Sequence, residues 1–153
     1  MSPTPDPSTW TLPRLRIDRD GVWFHDDAEV THAGIVANLR ANLQVDELGH
    51  FLRVGPARVS VEVEDAPFVV DRVEVAGEGL TATLNDLTRE PVALHTLRVD
   101  ERGIPRCRVK DGRFDARLSR AAAYQLLQHV QPDEDRGRPT LVLGGRRYPV
   151  PGL

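Results

Sequence analysis

The octapeptide LRIDRDGV at Leu15–Val22 returns eighty-two positions later, without a gap, as LRVDERGI at Leu97–Ile104. Six of the eight positions are identical or exchange only Ile for Val. A recurrence of this length marks a duplicated supersecondary unit, and every motif between and after the copies is read from it. Each copy is followed by a helical pattern, THAGIVANLRANL over residues 31–43 and SRAAAYQLLQHV over residues 119–130. In the first, Ile35, Val36, Leu39 and Leu43 share a face and Thr31 is the expected N-cap. In the second, Leu118, Ala122, Ala123, Leu126, Leu127 and Val130 form the stripe, Ser119 caps it and Pro132 stops it.

Both helices are followed by hairpin signals. Gly55-Pro56 separates HFLRV from RVSVEV, and Gly144-Gly145 separates TLVL from RRYPV. Between the copies, AGEG joins PFVVDRVEV to LTATL in a further hairpin, and Asp111-Gly112 is the strongest turn signal of the chain. The expected fold is α+β: two repeated ββαββ units with mostly antiparallel strands, two main helices and a connecting hairpin. The expected boundaries are a disordered Pro-rich segment at 1–10, a first repeat at 11–66, a connecting hairpin at 67–96, and a second repeat with an extra strand at 97–153.

At 153 residues and 40% hydrophobic content, the chain suffices for one domain or two small units. No apolar run approaches the ~20 residues of a spanning helix, and the N-terminus lacks the basic and apolar regions of a signal peptide. The expectation is a soluble, cytoplasmic protein with no membrane partner. Cys107 is the only cysteine, which rules out an internal disulfide and a Cys-rich zinc site. The net charge of -3 conceals an asymmetry: residues 98–153 hold twelve Lys and Arg against seven Asp and Glu, while the preceding part is acidic. Lys110 is the only lysine, so nearly all cationic character is arginine, whose planar fork suits carboxylate or phosphate.

The stretch VEVEDAPFVV at residues 61–70 ends the first repeat. Val59, Val61 and Val63 alternate with Ser60, Glu62 and Glu64, as on a strand half buried on a core. Pro67 cannot donate to a ladder and extends Ala66, so strand pairing changes there. Asp65 is expected to accept backbone N–H groups in an Asx turn, with Phe68 re-entering the core. Adjacent strand residues point to opposite faces, which counts against Glu64 and Asp65 as a catalytic carboxylate pair.

IDRDGVWF, VEVEDAPF and VKDGRFDARLSRAAAYQLL, taken together, resemble the bacterial domain of unknown function 1285 family. The matching positions are Asp20, Gly21 and Trp23; Val63, Glu64, Asp65, Pro67 and Phe68; and Asp111 and Gly112. The likeness runs from about Leu15 to Val130. It implies a fold of repeated α/β motifs, no assigned activity, and a ligand-binding role in signal transduction. The chain is shorter than the family leads one to expect, and Thr31-His32-Ala33 stands where a basic residue would open the first helix.

Several constellations invite chemistry. His25, Asp26, Asp27, Glu29 and His32 are the densest set of potential ligands, but they lack a fixed ligand spacing, and acidic residues before a helix are expected from its dipole. Cys107 lies on the apolar side of RCRVK, where a thiolate is disfavoured. No P-loop, Gly-x-Gly-x-x-Gly or Gly-x-Ser-x-Gly is present. Arg106, Arg108 and Lys110 on one strand, with Arg113 and Arg117 on the next, form a basic ladder suited to anions or to pairing with the acidic half. With pI ≈ 5.9 and few aromatics, nucleic acid is not an expected partner.

The sequence therefore points to a non-enzymatic small-ligand-binding or regulatory module. The site is expected at Glu64, Asp65, Arg106, Arg108, Arg113 and Arg117, in a cleft between the repeats, with no cofactor, metal or catalytic residue. The alternatives are an enzyme using Glu64 or Asp65 with a histidine, and a protein-interaction domain.

Overall fold

A computed structural model describes residues 12–132 and 137–153. The disorder expected for residues 1–10 lies outside the described residues. The chain is α+β and divides into two compact units: the part up to Asp18 with Val22–Glu64, and Arg19–Gly21 with Asp65–Leu153.

The first unit contains β1 (Leu15–Ile17), β2 (Trp23–His25), β3 (Ala28–Glu29), α1 (Ala33–Asn42), β4 (Gln44–Asp46), β5 (Gly49–Val54) and β6 (Ala57–Val63). The strands form one sheet in the order β3-β2-β1-β6-β5-β4, antiparallel except where β1 runs parallel to β6. That parallel pair places Leu15 opposite Val61 and Ile17 opposite Val63, so alternate apolar side chains meet on one face. Ile17, Trp23, Val59 and Val61 are buried, whereas Ser60 and Glu62 are exposed, the alternation that VSVEVED encodes.

Helix α1 departs from expectation in two ways. Its cap is His32, not Thr31: the His32 Nδ1 accepts the Ile35 N–H at 3.3 Å. The apolar stripe is not buried either, since no residue within α1 is buried and Ile35 is 51% exposed; only Leu43, just past its end, enters the core.

The second unit contains β7 (Phe68–Ala76), β8 (Gly79–Leu84), β9 (Arg89–Pro91), a 3-10 turn (Leu94–Thr96), β10 (Arg98–Val99), β11 (Pro105–Val109), β12 (Phe114–Leu118), α2 (Arg120–Leu127), β13 (Val130–Pro132), β14 (Pro139–Leu143) and β15 (Arg146–Tyr148). Its larger sheet has the order β10-β11-β12-β7-β8-β9, antiparallel except for the parallel pair β12 and β7; β13, β14 and β15 form a small antiparallel sheet. Helix α2 is anchored as α1 is not. The Ser119 hydroxyl accepts the Ala122 N–H at 3.1 Å as the expected cap, and Ala122 and Leu126 are buried. A register shift between Val70 and Arg72 marks a bulge in β7, and the region of α2 supplies what the ladder lacks. Gln125 Oε1 accepts the Val73 N–H at 2.9 Å, Ser119 N–H donates to the Val70 carbonyl at 2.9 Å, and the Ser119 hydroxyl donates to the Asp71 carbonyl at 3.3 Å.

The sequence repeat survives as geometry at its strand-turn-strand core. In the first copy Asp18 N–H bonds the Val22 carbonyl and Asp18 Oδ1 accepts the Val22 N–H, both at 2.9 Å. In the second, Asp100 makes the same two bonds with Ile104, both at 3.0 Å. Gly21 and Gly103 close these turns at φ 81 and φ 80, the left-handed conformation that explains why both copies keep glycine there. Beyond the turns the ββαββ unit is matched only loosely. Three strands precede and three follow each helix, the extra ones being elements as short as β3, and β7–β9 form a further three-stranded meander between the copies.

Candidate functional site

Cross-strand register builds the site. Arg98 on β10 lies opposite Arg106 on β11, and Arg106 lies opposite Arg117 on β12, so three guanidinium-bearing side chains form a row across neighbouring strands. Like charges directly opposite one another repel, and such a row persists only if counter-charges are interleaved. They are. Asp115 divides its oxygens between Arg98 (2.9 Å) and Arg106 (3.1 Å). Asp65 bonds Arg106 through Oδ1 and reaches towards Arg117 with Oδ2 at 3.8 Å. Asp20 stands 3.5 Å from the far side of Arg117. The result is an alternating series, Arg98, Asp115, Arg106, Asp65, Arg117, Asp20, all within the second unit.

The middle of the series is saturated. Arg106, only 11% exposed, directs Nε to Asp100 at 2.8 Å, Nη1 to Asp115 and Nη2 to Asp65. Burial acts to lower its pKa, but the hydrogen bonds it donates to Asp100 and Asp65 prevail and hold it above the ordinary arginine value. The same bond, with help from the Ile104 and Arg102 N–H groups, holds the Asp100 carboxyl at about 2. Asp100 thus closes the repeated turn and anchors the central arginine at once.

The Arg117 end is not saturated. Its side chain is 17% exposed and its Nε is buried, yet that Nε makes no hydrogen bond; the nearest carboxylate oxygens, at 3.5 and 3.8 Å from the guanidinium, are at or beyond bonding range.

The remaining sequence-selected residues fall elsewhere. Arg108 donates to the carbonyls of Gly112 (3.0 Å) and Arg113 (3.2 Å), bracing the β11–β12 turn where Lys110, Asp111 and Gly112 all have positive φ. Arg113 donates from Nε to the Lys110 carbonyl at 3.2 Å and lies over the Phe114 ring at 5.3 Å. Lys110 bonds Asp86 (2.6 Å) and the Thr88 hydroxyl (2.8 Å). Glu64 belongs to the first unit, where it pairs with Arg16 at 2.7 Å. The Asx turn expected at Asp65 is replaced by its bonds to arginine: a guanidinium offers a charged partner that a local N–H does not.

In the first unit, Asp26 and Asp27 form the two-residue turn between β2 and β3 with φ of 47 and 68, and Asp26 Oδ1 accepts the Arg14 N–H at 2.9 Å. His32 is spent on its cap. Among the described residues, no group of three or more His, Cys, Asp or Glu is placed to hold a metal ion. Cys107 is buried, and burial, with Asp115 and Glu90 nearby, pushes its thiol up to about 12.

Sequence reasoning missed Arg98, Asp100, Asp115 and Asp20. Two of them left a signal. The Asp111-Gly112 turn fixes the β11–β12 register and hence sets Asp115 and Arg117 on the face of Arg106, and Asp100 is the aspartate of the repeated LRVDERGI.

No family model matches the chain, and no curated protein matches it. Two crystal structures do. A DUF1285 family protein from Silicibacter pomeroyi DSS-3 superposes with a TM-score of 0.73 at 26% identity, over 98% of this chain and 89% of that one. A DUF1285 family protein from Shewanella baltica OS155 shares the fold with a TM-score of 0.63 at 23% identity, over 76% of this chain and 91% of that one. The chain is thus similar to DUF1285 family proteins, in line with the resemblance carried by its Asp-Gly-x-Trp and Val-Glu-Asp-x-Pro-Phe elements. No helix among the described residues is long and apolar enough to cross a membrane.

Proposed function

We propose that this protein is a binding or regulatory module, not an enzyme, and that it takes a small anionic ligand on the arginine row of its second unit, with Arg117 as the anchor. One observation carries the reading: a half-buried guanidinium whose buried Nε–H has no acceptor, beside carboxylates at 3.5 and 3.8 Å. A buried donor without a partner is costly, and an anion that fills it recovers that cost on binding. Of the other expected site residues, Asp65 and Arg106 form the wall of this site, while Arg108 and Arg113 hold the adjoining turn. The signalling role that the family resemblance implies is that of a sensor whose stability rises with occupancy.

The same geometry argues against catalysis. Asp100 is held fully ionised by Arg106, Cys107 is held as the thiol, and Glu64 is paired with Arg16. The test is a melting series with acetate, sulfate and inorganic phosphate on the wild type and on Arg117→Met. An anion that binds only the folded state raises the wild-type Tm and leaves the variant unmoved. No shift with any of the three overturns the reading.

A second reading, a protein-interaction domain, is favoured by α1, which carries Ile35, Val36 and Leu39 yet buries none of them. If it holds, Ile35→Glu abolishes capture of a partner while leaving the Tm within about 1 °C, because surface substitutions cost little.

A further inference from the structure

We infer that the uncovered apolar face of α1 and the open edge of β4 form one interface, and that its occupant is a second copy of this chain, joined through β4 about a two-fold axis at Val45. The inference rests on the second reading above, the protein-interaction domain, and names its partner; it is independent of the anion site at Arg117.

Three features of the first unit support it. The first is apolar surface left uncovered in one short stretch: no residue of α1 is buried, and Ile35, Val45 and Leu48 are 51%, 37% and 82% exposed. The second is an unguarded strand edge. β4 ends the sheet, pairs with β5 alone, and has all three of its residues exposed. An open edge is a template for pairing with another chain, and folds block it with charges or proline. The opposite edge, β3, is blocked in that way by exposed Asp26, Asp27 and Glu29. In the second unit, the edge strand β9 carries Arg89, Glu90 and Pro91. β4 has neither device, since its one charge, on Asp46, is compensated by Arg58 at 2.7 Å.

The third feature selects the occupant. Residues 31–46, THAGIVANLRANLQVD, hold two Asp, Glu, Lys or Arg side chains in sixteen, Arg40 and Asp46, whereas 28% of the whole chain is charged. Interface cores are depleted of charge in the same way. A strongly charged partner, such as nucleic acid or an anionic lipid surface, finds little counter-charge here, but the face is complementary to itself. In an antiparallel pair centred on Val45, each Val45 opposes the other and each Gln44 opposes the second copy's Asp46, so that an amide donor meets a carboxylate twice and no like charges are opposed. α1 runs through buried Leu43 straight into β4. A two-fold axis perpendicular to the sheet therefore brings both copies of α1 to the same face of one continuous sheet, where their exposed apolar residues cover each other.

The experiment is sedimentation equilibrium on the full chain, from about 1 μM to about 1 mM, with circular dichroism and Tm read on each variant to separate a lost interface from a lost fold. The wild type is expected to rise from 17.0 kDa towards twice that mass. Ile35→Glu and Val45→Lys, which bury unpaired charges or oppose them across the axis, are each expected to weaken the dimer by about tenfold or more. Gln44→Asp sets two carboxylates opposite each other twice and is expected to weaken it by roughly two- to thirtyfold, whereas Gln44→Lys, which meets Asp46 with a cation, keeps or tightens it. Slower amide hydrogen exchange in β4 at high concentration is expected beside these. A wild type that stays monomeric throughout overturns the inference and leaves the interaction reading with a partner other than this chain. A dimer that responds to Ile35→Glu but equally to Gln44→Asp and Gln44→Lys, or to neither, overturns the pairing through β4. A dimer indifferent to all four substitutions overturns both the inference and the reading beneath it.

Discussion

Arg106 and Arg117 are direct cross-strand neighbours with similar exposure, yet their surroundings differ in kind. Arg106 spends three donor nitrogens on three carboxylates, whereas Arg117 has a buried nitrogen without an acceptor and its nearest carboxylate oxygens at 3.5 and 3.8 Å. What separates them is position. Arg106 lies on the central strand of β10-β11-β12 and collects Asp100 from the turn before its strand, Asp115 from β12 and Asp65 from the segment that leads into β7. A saturated arginine is part of the fold; the unsaturated one is the anchor in the proposed function.

The largest test of this contrast is Arg106→Met. Removing the central cation leaves Asp65, Asp100 and Asp115 close together with no shared partner, and the loss in unfolding free energy is expected to be about 2–4 kcal/mol, read by chemical denaturation. A loss smaller than that of Arg117→Met would break the comparison.

Acid sharpens it further. Asp100 has a lower pKa in the folded chain, about 2, than the ordinary carboxylate value near 3.9 in the unfolded one. The unfolded state therefore binds the proton first, so this stabilisation is complete above about pH 4 and is lost as pH falls towards 2. Asp100→Asn is expected to cost roughly 1–2 kcal/mol at neutral pH and to flatten the acid limb of the stability profile between pH 4 and 2. A profile with the same steepness in the variant would assign the acid sensitivity to other groups.

The smallest effect belongs to Arg117. Arg117→Met is expected to change stability by about 1 kcal/mol or less while removing the response to anions. A loss comparable with that of Arg106→Met would make Arg117 structural.

How much of this could be read from the sequence depends on how local each feature is. The hairpins at Gly55, Gly77, Asp111-Gly112 and Gly144 were legible because a positive φ demands particular residues at the turn itself. Strand parity set Arg106 and Arg108 on one face and buried Cys107 and Val109 on the other, as the observed alternation confirms. The partner of Asp65 was not legible. It lies forty-one positions away, and a local Asx turn was the nearest option that the sequence offered. Helix α1 misled for a related reason: its 3.6-residue periodicity reports an apolar face but not what covers it, and the cap moved from Thr31 to His32 because either side chain can accept an N–H of the first turn. The strand Ala28–Glu29 is too short for alternation to register, which is why two strands were expected before α1 where three precede it, whereas the extra strand expected before α2 was signalled by Asp111-Gly112.

The central claim, that one arginine of the row is structural and its neighbour is open, is tested most directly by observing both Nε–H groups in one 15N-edited NMR titration with acetate. The account predicts that the Arg106 signal, bonded to Asp100, stays fixed while the Arg117 signal moves and saturates. Signals that move together, or an Arg117 signal that stays as still as that of Arg106, would contradict it.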